Sequence, residues 1–105
     1  MHQRGINEVI EIEDIILLEA SGRYTEITLA EGKNIVACQN LGEFERKLQN
    51  YPAFCRIHHN KIINLNFVKR FSKKERIIEL DAPYGNHISS KERFREFLKM
   101  FETGV

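Results

Sequence analysis

Between Phe54 and Val68 the chain reads FCRIHHNKIINLNFV, which sets Arg56, His58, His59, Asn60 and Lys61 against a run of β-branched apolar residues. A guanidinium or an ammonium can bind phosphate or the acceptor edge of guanine. An asparagine amide matches adenine, and imidazoles can donate, accept or ligate a metal. In an extended segment Arg56, His58, Asn60 and Ile62 fall on one face, with Ile57, His59 and Lys61 on the other. The polar groups cannot all be buried among those isoleucines, so some of them sit at a strand end or in a loop.

Other chemistries find less support. Cys55, His58 and His59 are zinc-type ligands, but a C-x-x-H pair needs a second such pair, and His2 and His87 are isolated in sequence. No G-x-S-x-G marks a nucleophile on a sharp turn, and Gly22, Gly32, Gly42, Gly85 and Gly104 are too scattered to cradle a phosphate. Glu11, Glu13 and Asp14 read as a solubilising strand edge. The expectation is a protein that is not an enzyme and uses no metal or cofactor.

A chain of 105 residues, 42% apolar and 30% charged, is one soluble domain with a core of its own. No apolar run approaches the about 20 residues of a membrane helix, and the N-terminal MHQRGINEV lacks a signal core. Cys38 and Cys55, with no further framework, read as buried and reduced, which fits the cytoplasm. The net charge of +1 conceals an asymmetry. Residues 1–50 carry 5 Lys/Arg against 9 acids, and residues 51–105 carry 11 against 6. Arg56 to Arg76 alone holds 7 basic residues and one acid, Glu75. A basic half suits a polyanion, because each neutralised phosphate releases counterions; a merely solvated basic surface is the other reading of the same charge.

The elements that must position these groups are mostly short strands. Val9-Ile10-Glu11-Ile12 and Ile15-Ile16-Leu17-Leu18 read as early strands, the second apolar on both faces and so central in a sheet. Arg23 to Leu29 alternates as a half-buried strand, and Glu31-Gly32 turns it into Asn34 to Cys38. Asn40 with Glu43 makes a capping box for a helix whose Leu41, Phe44 and Leu48 share a face and which Pro52 closes. Strands resume at Phe54 to Ile57, Lys61 to Asn64, Phe67 to Phe71, Arg76 to Asp81 and His87 to Ser89, with Ala82-Pro83-Tyr84-Gly85-Asn86 as a turn. Ser89 with Glu92 makes a second capping box, and Phe94, Phe97, Leu98 and Phe101 give an amphipathic C-terminal helix. The domain core runs from near Ile6 to near Phe101.

The two helices are separated by β-pattern, which excludes a helix-turn-helix, and no zinc-finger spacing occurs. Phe67, Phe71, Phe94, Phe97 and Phe101 read as core, leaving Tyr24 and Tyr84 as exposed rings. Two rings make a poor stacking platform, so duplex DNA ranks above single strands.

Phe54, Arg56, His58, Ile63 and Asn64 also resemble the central signature of the LytTR-type DNA-binding domain of bacterial transcription regulators, R-x-H-x-S-x-x-V-N. The likeness extends from about Val9 to Lys99. Ile12 to Ala20 is similar to the family's opening strand pair, Gly22-Arg23-Tyr24 to its first loop, Asn40-Leu41-Gly42 with Leu48 to its helix, and Ser90-Lys91 to the Ser-Arg that begins its last helix. The resemblance implies an elongated, mainly β fold of about ten short antiparallel strands with one short internal helix and a C-terminal helix. It implies sequence-specific binding of double-stranded DNA, commonly direct repeats, through loops inserted into successive major grooves. Those loops would be Arg23 and Tyr24, then His59 with Asn60 and Lys61 after Arg56-x-His58, then Lys91 with Arg93. It further implies the output domain of a two-component response regulator, with a receiver domain in the full-length protein, and room for a homodimer on DNA.

Two positions depart from the pattern: Asn60 stands where a small hydroxyl residue is usual, and Lys91-Glu92 where many relatives carry two arginines. Arg56 and His58 also admit a second role, organising the loop through internal carboxylates without touching DNA. The alternative function is a protein- or ligand-binding β-module whose basic half contacts an acidic partner.

Overall fold

The computed structural model of the chain describes residues 10–103. Its elements, in order, are β1 (Ile15–Ser21), β2 (Tyr24–Leu29), β3 (Asn34–Ala37), α1 (Leu41–Lys47), β4 (Phe54–His58), β5 (Lys61–Asn64), β6 (Val68–Ser72), β7 (Ile77–Leu80), β8 (Asn86–Ile88) and α2 (Lys91–Thr103). The strands form a five-stranded sheet in the order β3-β2-β1-β5-β4 and a three-stranded sheet in the order β6-β7-β8. All the pairings are antiparallel. The body is elongated, 48 × 25 × 23 Å, and mainly β, as the resemblance implies. The described residues hold eight strands, fewer than the ten it suggests.

Ile15 to Leu18 are all buried because β1 is central, with Leu18 facing Ile27 of β2 on one side and Ile62 of β5 on the other. The two faces of β1 feed separate cores. Ile15 and Leu18 join Ile27, Leu29 and Ile62 beneath Leu41 and Leu48 of α1. Ile16 and Leu17 join Cys55, Ile57, Ile63, Ile78 and Leu80 beneath Phe94 and Phe97 of α2. A register shift between Ile15 and Leu17 breaks strict alternation, which lets two consecutive residues serve one core. Phe71 of β6 meets Phe94, Phe97 and Phe101 edge-on at centroid distances of 6.2, 5.2 and 5.5 Å, which fixes α2 to the smaller sheet. Truncating the fully buried Phe97 to alanine would cost about 3–5 kcal/mol.

Several local expectations need correction. Ile10 to Ile12 do not pair as a strand: Ile12–Asp14 is a single 3-10 turn closed by Asp14 N–H donating to Glu11 O at 3.0 Å. Ile10 and Ile12 pack on the α1-side core without a partner strand. Val9 and the expected start near Ile6 lie outside the described residues. The Asn40 cap forms, with Glu43 N–H donating to Asn40 Oδ1 at 2.9 Å, but α1 ends at Lys47, ahead of Pro52. Ser89 does not cap α2. It is buried, and its hydroxyl donates to Ile57 O at 2.8 Å. Cys38 is exposed rather than buried, Cys55 is buried, and both are free thiols.

Candidate nucleic-acid interface

The β4–β5 hairpin turns on His59 and Asn60, with His58 paired to Lys61 across it and a register shift between Arg56 and His58. Two groups hold this turn. Arg56 donates from Nε to His58 O at 3.3 Å and from Nη2 to His59 O, while its Nη1 meets Glu45 Oε1 of α1 at 2.7 Å. Asn60 N–H donates to His58 Nδ1 at 3.4 Å, and the His58 and His59 rings lie 4.4 Å apart. The guanidinium thus satisfies two turn carbonyls that the ladder leaves open, and His59 projects, exposed, from a braced apex.

The neighbouring segments are tied to the same end of the molecule by backbone hydrogen bonds. Ala20 N–H donates to Asn60 O at 2.9 Å, which sets the β1–β2 turn with Gly22, Arg23 and Tyr24 beside the hairpin. Gly22 adopts φ +61°, the left-handed value that this tight turn requires and that glycine accepts without strain. Arg23 is exposed, and Tyr24 is 49% exposed. The carbonyl of Ile57, at the shifted step of β4, accepts from Ser90 N–H at 2.9 Å as well as from Ser89 Oγ, which brings the start of α2 alongside. Ser89 N–H donates to Arg76 O at 2.8 Å, adding the β6–β7 turn with its exposed Lys73 and Lys74.

Lys61 is more engaged than its sequence position suggests. Its Nζ lies 3.0 Å from His87 Nδ1 and 3.8 Å from Glu19 Oε2. The other ring nitrogen, His87 Nε2, lies 2.8 Å from Tyr84 O, which can only accept. Nε2 therefore carries the proton and Nδ1 accepts from the lysine ammonium. Tyr84, expected as an exposed ring, packs against the α2-side core instead.

Lys91, exposed, opens the 13-residue α2. Arg93 is two residues on, and a step of about 200° around a helix puts it on the far side. It lines a groove of about 300 Å³ between α1, β4 and α2, together with Glu45, Tyr51, Arg56, Glu96 and Met100. Cys55 floors this groove, its thiol pushed up to about 11 by burial and by the Glu96 carboxylate, with Arg93 opposing.

The structure therefore gathers Arg23, Tyr24, His58, His59, Asn60, Lys61 and Lys91 at one end, with Arg56 bracing from behind, and sets Arg93 apart. Sequence reasoning missed His87. In Asn86-His87-Ile88 the polar ring faces inward and the isoleucine outward, so ordinary alternation gave no signal. Among the described residues, no three His, Cys, Asp or Glu side chains come together as a metal-holding group, and no helix is long and apolar enough to cross a membrane.

Comparison with curated proteins found no match. Among solved structures, the LytTr DNA-binding domain of a Bacillus cereus protein described as a methyl-accepting/DNA response regulator superposes with a TM-score of 0.73 at 23% identity. The match covers 88% of this chain and 84% of that one, and at this identity it speaks to the fold. The profile of the LytTr DNA-binding domain family matches residues 7–102, nearly the whole sequence. With its fold, its basic end and this match in agreement, the chain belongs to the LytTr DNA-binding domain family.

Proposed function

We propose that this chain is a single domain, with its core at about residues 6–101, that binds double-stranded DNA sequence-specifically in bacterial transcription regulation. It would act in the cytoplasm as the output domain of a two-component response regulator. The observation that carries this reading is the hydrogen-bonded row of turns at one end of the molecule. The β1–β2 turn, the β4–β5 hairpin, the start of α2 and the β6–β7 turn stand side by side, each carrying at least one exposed basic or amide-bearing side chain. Arg23 and His59 are the base readers, Tyr24 and Asn60 flank them, and Lys61, Lys73, Lys74 and Lys91 neutralise phosphate. His58 and Arg56 hold the hairpin in shape, and Arg93 contributes through the groove rather than through DNA.

The target is a direct repeat, read by loops entering successive major grooves. Two copies would then occupy the two repeats as a homodimer on DNA.

The test is selection from a random duplex library at about physiological salt, where non-specific binding is suppressed. Enrichment of a direct repeat supports the reading and supplies the site for mutagenesis. Folded protein that enriches nothing, alone or fused to a receiver domain, would sink it in favour of an acidic protein partner for the basic half.

A further inference from the structure

Resting on the DNA-binding reading, we infer that Ile88 is a specificity residue, one that reads the 5-methyl group of a thymine. Among the described residues Ile88 is the most exposed large hydrophobic side chain, at 61%. A single exposed isoleucine is ordinary on a protein surface. The surroundings of this one are not. It walls a hollow of about 260 Å³ whose other sides are His58, Asn60, Lys61 and Asn86. An aliphatic side chain thus stands inside a ring of hydrogen-bonding groups, against the hairpin that carries His59.

The backbone holds it there. Asn86 and Ile88 share the outward face of β8, and His87 between them points inward to Lys61 at 3.0 Å. On the other side of Ile88, Ser89 Oγ and Ser90 N–H both donate to Ile57 O, at 2.8 and 2.9 Å. Ile88 is therefore pinned between two ties to the β4–β5 hairpin and keeps a fixed distance from Asn60. The Asn60 carbonyl oxygen Oδ1 is buried with no hydrogen-bond partner among the described residues, so that oxygen gives up no bond on accepting from a base.

In the major groove thymine alone offers an apolar group, its 5-methyl, and its partner adenine offers an acceptor and a donor to an amide. A hollow built of an aliphatic wall and two asparagine amides matches the edge of an A·T pair, with adenine on the Asn60 or Asn86 amide and the thymine methyl against Ile88. A hollow meant for guanine would present donors alone.

The test uses the selected duplex with each thymine replaced in turn by deoxyuridine, which removes the methyl group and keeps the pairing. One position should weaken wild-type binding about threefold to fivefold, the value of one buried methyl group. At that position Ile88→Ser should be indifferent to the methyl, while Ile88→Val restores most of the discrimination. The exposed site makes misfolding of either variant improbable, and circular dichroism checks it. A selected duplex indifferent to every methyl overturns this inference alone, as does a methyl effect that survives Ile88→Ser unchanged. Absence of any selected duplex overturns the underlying reading, and this inference falls with it.

Discussion

The Arg56 guanidinium joins the Glu45 carboxylate of α1 at 2.7 Å while its other nitrogens donate to the carbonyls of His58 and His59, so one side chain ties a helix to the hairpin apex. Lysine could keep the charge but not the three-way geometry. Arg56→Lys should lose about 1.5–3 kcal/mol of stability, the range for hydrogen bonds to a charged group. Its affinity for the selected duplex should fall while that for random duplex stays level. Urea unfolding and titrations on both duplexes measure this. An unchanged affinity for the selected duplex would mean that the hairpin keeps its shape without the guanidinium.

Asn64 makes a second such tie, deeper in. It is 1% exposed, donates from Nδ2 to Ile15 O at 2.8 Å, and accepts from Asn66 N–H at 2.9 Å. Asn64→Leu leaves a buried carbonyl and an N–H unpaired, so the expected loss is roughly 2–5 kcal/mol in urea unfolding. The effect should be on stability, with DNA affinity unchanged per folded molecule. A loss below about 1 kcal/mol would mean that water replaces both partners.

Much of this was legible in the residues. The four apolar positions Ile15 to Leu18 announce a strand covered on both faces, and Phe94, Phe97, Leu98 and Phe101 announce the face of α2, because periodicity reports burial directly. That some of the polar groups from Arg56 to Lys61 sit at a strand end or in a loop was legible from their setting among isoleucines, and the loop is the hairpin turn at His59 and Asn60. What could not be read is whatever depends on long-range partners. Ser89 looks like a helix cap until Ile57 O is beside it, and His87 looks isolated until Lys61 arrives from 26 positions away. Local propensity also made Val9 to Ile12 a strand, although among the described residues no strand pairs with Ile10 to Ile12.

Base readers and phosphate contacts should separate by salt. Lys73 and Lys74 are exposed in the β6–β7 turn, where an ammonium can neutralise phosphate without seeing a base. Replacing both by alanine should weaken selected and random duplexes alike and flatten the dependence of log K on log salt by about 1.8. His59→Ala should leave the slope in place and cost about 1–3 kcal/mol on the selected site only. Titrations at four salt concentrations decide it. Equal losses on the two duplexes for His59→Ala would remove it from the base readers.

The two thiols should behave as opposites. Cys38 is exposed and should take up one equivalent of a thiol reagent in the native protein, whereas Cys55 should react only on unfolding. Burial, reinforced by the Glu96 carboxylate, lifts the Cys55 thiol from 9.0 to about 11. In that window the unfolded chain loses the proton and the native chain retains it, so the native state binds more protons and loses stability as pH rises. The contribution is fully present below about pH 9 and gone above about pH 11, and two pH units correspond to about 2–3 kcal/mol. Tyrosines and lysines titrate there too, so the decisive measurement is a difference. In a Cys38→Ala background, urea midpoints of Cys55 and Cys55→Ala proteins should converge as pH is raised from 8 to 11. Parallel curves would mean that Cys55 ionises in the folded protein as it does in the unfolded chain.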